Sequence, residues 1–290
     1  MSDLILALLL SSPALAQTPE WDARITEVEG TQAYVYPDGG EEGVPAEVGT
    51  PLEPGDRVST GKKSQVEVAL DPDSLFEIGP TSTFTVDKPE EEGLFAQLSL
   101  ASGRLMAKIM KTALTRRFRV RTPTAVASVR GTEFGVEVGD DGETHVGVFD
   151  EGSLGVRPDE EGVSETMLGP GEETRVRLAG KSELVERDGA RYLKVGELRR
   201  LKKGRERIRK LLGRLERIRE GWTRMEPRQR AETRRNIRER IQRLSPDQRG
   251  RIREFQKTRS ERLEKKRAGA QGRRGPARDN KRRPGPRPRR

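Results

Sequence analysis

Few residues of this sequence have side chains suited to catalysis or to metal binding. The 290 residues include one histidine, His145, and no cysteine. Without cysteine there is no thiolate nucleophile, disulfide or thiolate metal ligand, and no serine near His145 stands in a nucleophile context. Apolar and polar residues alternate around His145, which places it on the polar side of a strand. We therefore expect an exposed histidine, and no catalytic residue, metal or cofactor.

Three carboxylates close to this histidine could contact calcium. Asp140, Asp141 and Glu143 offer oxygen ligands, but their spacing provides too few for a full coordination shell. The dipeptide Asp141-Gly142 is typical of a tight β-turn. We therefore expect a charged hairpin tip in preference to a metal site.

A basic stretch in the middle of the chain could bind an anion. Its residues are Arg104, Lys108, Lys111, Arg116, Arg117, Arg119 and Arg121. Three interpretations are open: docking on the domain's own acidic surface, binding of an anionic ligand, or a solvated strand face. In the second, Arg116, Arg117 and Arg119 are the polyanion-binding candidates.

The most distinctive segment spans residues 129–134, with the sequence Val-Arg-Gly-Thr-Glu-Phe. Apolar residues occupy odd positions before it and even positions after it. Because side chains alternate between the faces of a strand, such a change of parity requires an extra residue. We interpret the segment as one long strand with a bulge at Gly131. Pro123 lacks a backbone donor and indicates a strand start or an edge.

Arg130 and Glu133 are the charged residues of this segment, and we interpret them as a structural ion pair, with a partner contact as the alternative. The segment resembles the signature of FecR-type domains, and further fragments in order resemble other parts of that family over roughly residues 24–178. The resemblance implies a jelly-roll-like β-sandwich without catalytic activity, used in envelope signalling or in secreted and surface proteins. Its structural or partner-binding residues are Thr122, Pro123, Val129, Arg130, Gly131, Thr132, Glu133 and Phe134, with Gly55, Asp56 and Gly61 in an early turn.

The charge of the chain is divided by position. Residues 17–195 contain 20 Lys and Arg against 34 Asp and Glu, a net charge of −14, and residues 196–290 contain 37 against 12, a net charge of +25. Only 31% of the residues are apolar and 36% are charged, which is too little apolar surface for one core over the whole length. An acidic domain is therefore followed by a basic region that would attract polyanions.

The N-terminus predicts export. Residues 4–10 are apolar, and Ala14-Leu15-Ala16 follows with a small-x-small pattern. We predict a signal peptide over residues 1–16, cleaved after Ala16, then a linker over residues 17–22, and a periplasmic or secreted location. The alternative is an apolar first element of a cytoplasmic protein. No other stretch is long and apolar enough for a transmembrane helix.

Residues 23–195 are predicted to form an all-β sandwich, because short apolar stretches alternate there with turn residues. Turns at Asp141-Gly142 and at Asp188-Gly189 predict two hairpins. Residues 104–114 could instead hold a short helical turn.

From residue 196 the apolar period becomes helical. The spacing predicts a helix of about 26 residues with a heptad seam, weakened by Gly204 and Gly213. Such a seam could join a helical partner or a second copy of the chain. The seam residues are Leu201, Ile208, Leu211, Leu215, Ile218 and Trp222.

A Pro-x-Gln-Arg repeat follows, beginning at Pro227 and at Pro246. Each proline suits a first helical position and Ser245 suits an N-cap, so the basic helical segment is predicted to run to residue 267. This repeat resembles helical segments of small bacterial envelope proteins. Residues 268–290 hold nine Lys and Arg against one Asp, and we predict disorder there. The polyanion-binding candidates of this tail are Arg273, Arg274, Lys281, Arg282 and Arg283.

These features together predict a non-enzymatic, exported FecR-domain protein. Its β domain would recognise a protein or glycan partner in the cell envelope, or serve there as a scaffold or signalling module. Its basic region would bind an anionic polymer or lipid surface, or fold back on the acidic domain. The alternatives are a cytoplasmic protein that binds polyanions or nucleic acid, and an oligomeric structural protein assembled through its helices. Nucleic acid is not the expected partner of an exported protein.

Overall fold

The computed structural model describes residues 22–87, 95–110, 117–178 and 182–272. These residues form a β-sheet domain followed by a helical segment. The predicted signal peptide and the tail beyond residue 272 lie outside the described residues.

The strands and helices have the following bounds. The strands are β1 (Ala23–Glu29), β2 (Ala33–Tyr36), β3 (Val44–Pro45), β4 (Pro51–Leu52), β5 (Arg57–Thr60), β6 (Gln65–Leu70), β7 (Ser74–Ile78), β8 (Thr83–Val86), β9 (Phe95–Ile109), β10 (Arg117–Arg121), β11 (Ala125–Arg130), β12 (Glu133–Val138), β13 (Thr144–Val148), β14 (Ser153–Pro158), β15 (Thr166–Leu168), β16 (Glu172–Val176), β17 (Leu184–Arg187), β18 (Ala190–Leu193) and β19 (Val195–Glu197). The helices are α1 (Arg205–Gly221), α2 (Pro227–Arg243) and α3 (Pro246–Gly272), and short 3-10 turns occupy Pro37–Gly39 and Lys202–Gly204.

Seventeen of the 19 described strands fall into two sets that share β9, and β17 and β18 form a separate two-stranded sheet. The first set runs in the order β4-β1-β6-β7-β9-β12-β13-β16-β19. The second runs β3-β2-β5-β8-β9-β10-β11-β14-β15. Only the β9–β10 pair is parallel within the part of the chain that the structure describes. The first half of β9 pairs in the second set and its other half in the first set, so this strand joins the two.

Both strand sets contribute to one buried apolar cluster. Phe76 and Phe134 come from the first set, and Phe84, Leu98 and Val120 from the second, and all five are fully buried. Their neighbours along each strand point the other way, as alternation requires. Each set therefore has a second face, which is available for the helices.

The structure corrects the interpretation of residues 129–134 as a bulged strand. β11 belongs to the second strand set and β12 to the first, so the chain crosses between the sets at Gly131 and Thr132. Gly131 has a φ of 60°, a conformation that favours glycine. Val129 and Phe134 are both buried in the shared cluster. The parity of the apolar residues changes where the chain passes from one strand set to the other, and both strands bury apolar residues in the same cluster.

Several strand predictions are confirmed and one is wrong. Hairpins form around Asp141-Gly142, between β12 and β13, and around Asp188-Gly189, between β17 and β18. β11 begins two residues after Pro123, which agrees with a strand start. A helical turn in residues 104–114 is wrong as far as Ile109, because β9 continues to that residue and is paired on both sides.

α2 and α3 begin where the sequence indicates, whereas α1 begins later than predicted. α1 is 17 residues long, shorter than the predicted helix, since β19 and an irregular turn precede it. Pro227 and Pro246 each begin a helix. Ser245 caps α3, because its Oγ accepts from Gln248 N at 3.2 Å while Gln248 Oε1 accepts from Ser245 N at 3.0 Å. No helix of the described residues is long and apolar enough to cross a membrane.

Candidate functional site

The helical seam lies against the protein's own β domain. Leu201, Ile208, Leu211 and Leu215 are buried, and Ile218 and Trp222 are partly buried beside them. Their partners are Ala69, Leu75, Met106 and Phe149, on the face of the first strand set that points away from the main core. A helical partner or a second copy at the seam stays a prediction, since in the described residues this stripe covers an apolar sheet face, which a stripe of this period also fits.

Gly204 permits this close approach. A Cβ atom at this position would lie 2.7 Å from Met106 Cε and 2.9 Å from Phe149 Cζ, which is too close for a real side chain. Gly204 has a low helix propensity, but its lack of a side chain allows the start of α1 to pack closely against the sheet.

The second helix is anchored by two buried arginines. Arg230 contacts Asp22 at 3.2 Å, Glu53, and the carbonyl oxygen of Leu52 at 2.8 Å. The side chains of Arg230 and Asp22 are 7% and 1% exposed. Buried ions are tolerated when they are paired with an opposite charge and make additional hydrogen bonds. This contact ties the start of β1 and the β4 region to α2.

Asp56, from the early turn of the family resemblance, receives the other buried arginine. The Asp56 carboxylate accepts from the backbone N–H of Asp38 at 3.0 Å and of Glu53 at 2.9 Å. It also forms a bidentate salt bridge with Arg234. Asp56 is completely buried. Gly55 supplies the turn with a φ of 105°. The Asp56 carboxylate therefore both stabilises its own turn and binds α2.

The sequence did not single out Arg230 and Arg234 as site residues. The available signal was the Pro-x-Gln-Arg repeat, whose arginine is Arg230 in the first copy and Arg249 in the second. Arg249 donates to the carbonyl oxygens of Leu244 at 3.1 Å and Gln242 at 2.9 Å. The first copy thus docks α2 on the β domain, and the second closes the end of α2.

The threonines before the crossover form a hydroxyl network. Thr124 Oγ1 lies 2.8 Å from Thr144 Oγ1, and Thr122 Oγ1 accepts from the backbone N–H of Ala125 at 3.0 Å. At the crossover, Thr132 Oγ1 donates to Ser153 O at 2.9 Å. These contacts fix the entry and exit of β11.

Glu133 forms a buried ion pair with Lys108. Lys108 Nζ lies 2.7 Å from Glu133 Oε1 and 3.1 Å from Glu151 Oε2. Burial acts to lower the pKa of Lys108, but the hydrogen bonds that Lys108 donates to both carboxylates outweigh burial and raise that pKa. The side chain of Arg130 lies outside the described residues, so the predicted Arg130–Glu133 pair stays a prediction.

The other basic residues of the central stretch have separate environments. Arg104 pairs with Glu137 at 3.1 Å, so Arg104 and Lys108 dock on carboxylates of their own domain. Arg119 is half-buried on β10. The candidates that lie outside the described residues or side chains are Lys111, Arg116, Arg117, Arg273, Arg274, Lys281, Arg282 and Arg283.

The histidine and its neighbouring carboxylates are engaged within the domain. The prediction of an exposed His145 is wrong: it is 8% exposed, and its Nε2 lies 2.8 Å from Glu143 Oε1. The cause is that β13 is paired on both sides and is covered by neighbouring side chains. Glu143 also accepts from Arg177 at 2.8 Å, and Asp140 pairs with Arg262 at 2.5 Å. In the described residues no cluster of three or more His, Cys, Asp or Glu side chains is placed to hold a metal ion.

A groove opens between α3 and the second strand set. Its volume is about 940 Å³. Tyr34 of β2 and Phe255 of α3 form its apolar wall, with ring centroids 5.2 Å apart. Arg259 crosses its base and donates to Thr60 O at 2.8 Å and Ser102 Oγ at 3.0 Å. We call this the α3 groove.

We expect acid to destabilise the protein by weakening the contacts of Glu137 with Arg104 and with Arg200, which precedes α1. Burial acts to raise the pKa of Glu137, but Arg200 and Arg104 outweigh burial and hold the pKa below its ordinary 4.5. The stabilisation is therefore complete above the unfolded pKa and is lost as the pH falls through the folded pKa. Urea unfolding between about pH 6 and about pH 3 should show a smaller acid loss in Glu137→Gln than in the wild type. Equal losses in both proteins would contradict this assignment.

Comparison with known proteins finds a family match for part of the chain. Residues 56–153 match the family model described as FecR protein. Two crystal structures of a candidate anti-sigma factor from Parabacteroides distasonis ATCC 8503 are similar at 20% identity with a TM-score of 0.38, and the alignments cover 45% of this chain and 58% of the solved chains. The chain thus spans less than two thirds of those proteins, and no curated protein matches it. The family match contains Asp56, Gly61 and the crossover at residues 129–134, so the chain is similar to FecR proteins over residues 56–153.

Proposed function

We propose that this protein is an exported, non-enzymatic FecR-domain protein, which acts as a binding, scaffold or signalling module of the bacterial cell envelope. The observation that carries the proposal is the FecR match over residues 56–153. The family positions of this range make structural contacts, including the buried carboxylate of Asp56. The outer surface, and not a catalytic centre, would then recognise a protein or glycan partner.

We also infer that the two strand sets form a sandwich. Both sets contribute side chains to one buried cluster, and the outer face of each set is covered by a helix. This is the layer arrangement that a FecR-type domain is expected to have. Its jelly-roll connectivity stays a prediction.

In this proposal the first role of α1 and α2 is intramolecular, because both helices bind the acidic domain. We call these two helices the clamp. Their arginines pair with carboxylates of the β strands and turns, which neutralises both surfaces. Binding of an anionic polymer or lipid surface would then belong to cations outside these pairs, above all those of residues 273–290. The clamp pairs are Arg207–Glu77, Arg214–Glu67, Arg219–Asp73, Arg230–Glu53, Arg234–Asp56 and Arg240–Glu47.

The two alternatives have different requirements. Assembly through the helical seam would require α1 to leave the apolar surface that it covers, at the cost of exposing that surface. Binding of nucleic acid would require the protein to remain in the cytoplasm with residues 1–16 attached.

The intact mass of the native protein, measured together with its cell fraction, tests the proposal. We expect a mass that lacks residues 1–16, in the periplasm or the medium, because the apolar stretch and Ala14-Leu15-Ala16 have the pattern of a cleaved signal. A full-length mass in the cytosol would contradict export. In that case salt-dependent binding of nucleic acid becomes the function to test.

A further inference from the structure

The α3 groove has the size and the lining of a small-molecule site. Its volume of about 940 Å³ lies within the range of ligand pockets. Leu244, Ile252 and Phe255 line it on the helical side, and Tyr34 and Pro45 face them from the second strand set. One end of the groove is therefore predominantly apolar.

The opposite end of the α3 groove is cationic. Arg259 lies about 10 Å further along α3 than Ile252, from the rise of an α-helix. Arg262 lies less than one helical turn beyond Arg259, and Lys62 follows the acceptor Thr60 by two residues. Both line the groove, and so does the carboxylate of Asp140. Arg262 is paired with Asp140 at 2.5 Å. Among the described residues, no carboxylate lies within salt-bridge distance of Lys62 or Arg259.

Arg259 differs in this respect from the arginines of the clamp. Arg230 and Arg234 are buried against carboxylates, whereas Arg259 donates, among the residues that the structure describes, only to the neutral oxygens of Thr60 and Ser102. Its Nε is buried without a hydrogen-bond partner in the described structure. Burial lowers the pKa of Arg259 to about 10, and the nearby charge of Asp140 offsets this effect only in part.

A second arginine of α3, Arg267, adds to this excess of positive charge. Arg267 donates to the carbonyl oxygen of Ala101, and burial alone lowers its pKa. The buried arginines of α2 thus meet carboxylates, while in the described part of the chain Arg259 and Arg267 of α3 donate to neutral acceptors. A desolvated cation without a counter-ion is costly, and an anionic ligand would remove that cost.

We propose that the α3 groove binds a monomeric, single-chain carboxylate amphiphile, with its carboxylate at Arg259 and Lys62 and its chain along Ile252, Phe255 and Tyr34. An anion without an apolar body would leave the apolar end empty. A neutral chain would leave Arg259 uncompensated. The site needs only the fold described above, and it does not depend on export or on the proposed envelope role.

Isothermal titration calorimetry of the full chain with octanoate tests this inference. We expect saturable binding of one octanoate per chain, with binding of acetate and of 1-octanol weaker by about tenfold or more, because each lacks one half of the recognition. Arg259→Gln should weaken octanoate binding by about tenfold or more. Lys257→Gln is the matched control, since it removes one charge from an exposed position of α3 outside the groove.

A second variant and a vesicle assay decide the remaining outcomes. If Arg259→Gln loosens α3, seen as a lower melting temperature than that of Lys257→Gln, then Lys62→Gln in the β domain is decisive. It should weaken octanoate binding by about threefold without touching the helix. Unchanged octanoate affinity in both groove variants would overturn the proposal. Binding to phosphatidylglycerol vesicles without binding of octanoate would also overturn it, in favour of a membrane surface.

Discussion

Asp56→Ala is expected to lower the free energy of unfolding by about 3–5 kcal/mol, because it leaves the buried Arg234 without its counter-ion. The side chains of Asp56 and Arg234 are 0% and 10% exposed. The variant also removes the acceptor of two backbone N–H groups, those of Asp38 and Glu53. Urea unfolding monitored by circular dichroism measures the loss.

The neighbouring pair Arg238–Asp38 provides the control for this prediction. Its atoms are 3.8 Å apart and its side chains are 67% and 63% exposed, so Arg238→Ala should cost less than about 1 kcal/mol. Adding Arg234→Met to Asp56→Ala should recover part of the loss, because no buried charge then remains. If Asp56→Ala costs no more than Arg238→Ala, α2 is not docked through this pair.

The double variant Ile208→Asp with Leu215→Asp is expected to detach α1 and to cost about 4 kcal/mol or more. Both residues are buried against the first strand set, at 2% and 0% exposure. A carboxylate at either position would be desolvated without a partner. We expect new tryptic cleavage within α1 and a molar mass, by light scattering, that does not fall below that of the wild type.

Arg209→Asp with Glu216→Asp is the matched control, because it places two aspartates at the same spacing on the exposed side of α1. This control separates the weak helix propensity of aspartate from the loss of packing. A drop in molar mass in the Ile208 and Leu215 variant alone would mean that the seam joins two chains, as the oligomeric alternative requires.

The strands could be predicted from the sequence because local rules determine them. Asp141-Gly142 and Asp188-Gly189 specify tight turns whatever surrounds them, and both hairpins form. The crossover at Gly131 was harder to interpret. A change of parity has the same sequence pattern whether the chain bulges within one strand set or moves to the other set, and only the pairing of β11 and β12 distinguishes the two cases.

The path of the helices could be predicted only in part. The spacing from Leu201 to Trp222 predicts the helix, but it does not determine whether the apolar stripe covers another helix or a sheet. The opposite charges of the two regions favour self-docking in general. They do not show which arginine meets which carboxylate, and so Arg230, Arg234 and Arg259 could not be selected from more than thirty basic residues of that region.

The contact between Asp22 and α2 has a consequence for biosynthesis. Asp22 accepts from Met225 N at 3.3 Å and pairs with Arg230. Because these partners are synthesised about 200 residues after Asp22, the contact cannot form until the helical segment has been translated. Until then the nascent β domain carries acidic side chains without counter-ions, and its sheet face at Leu75 and Met106 is uncovered. Contacts this distant in sequence slow folding. Emergence of the basic helices would therefore be the step that completes folding and ends the interval of greatest exposure to proteases and chaperones.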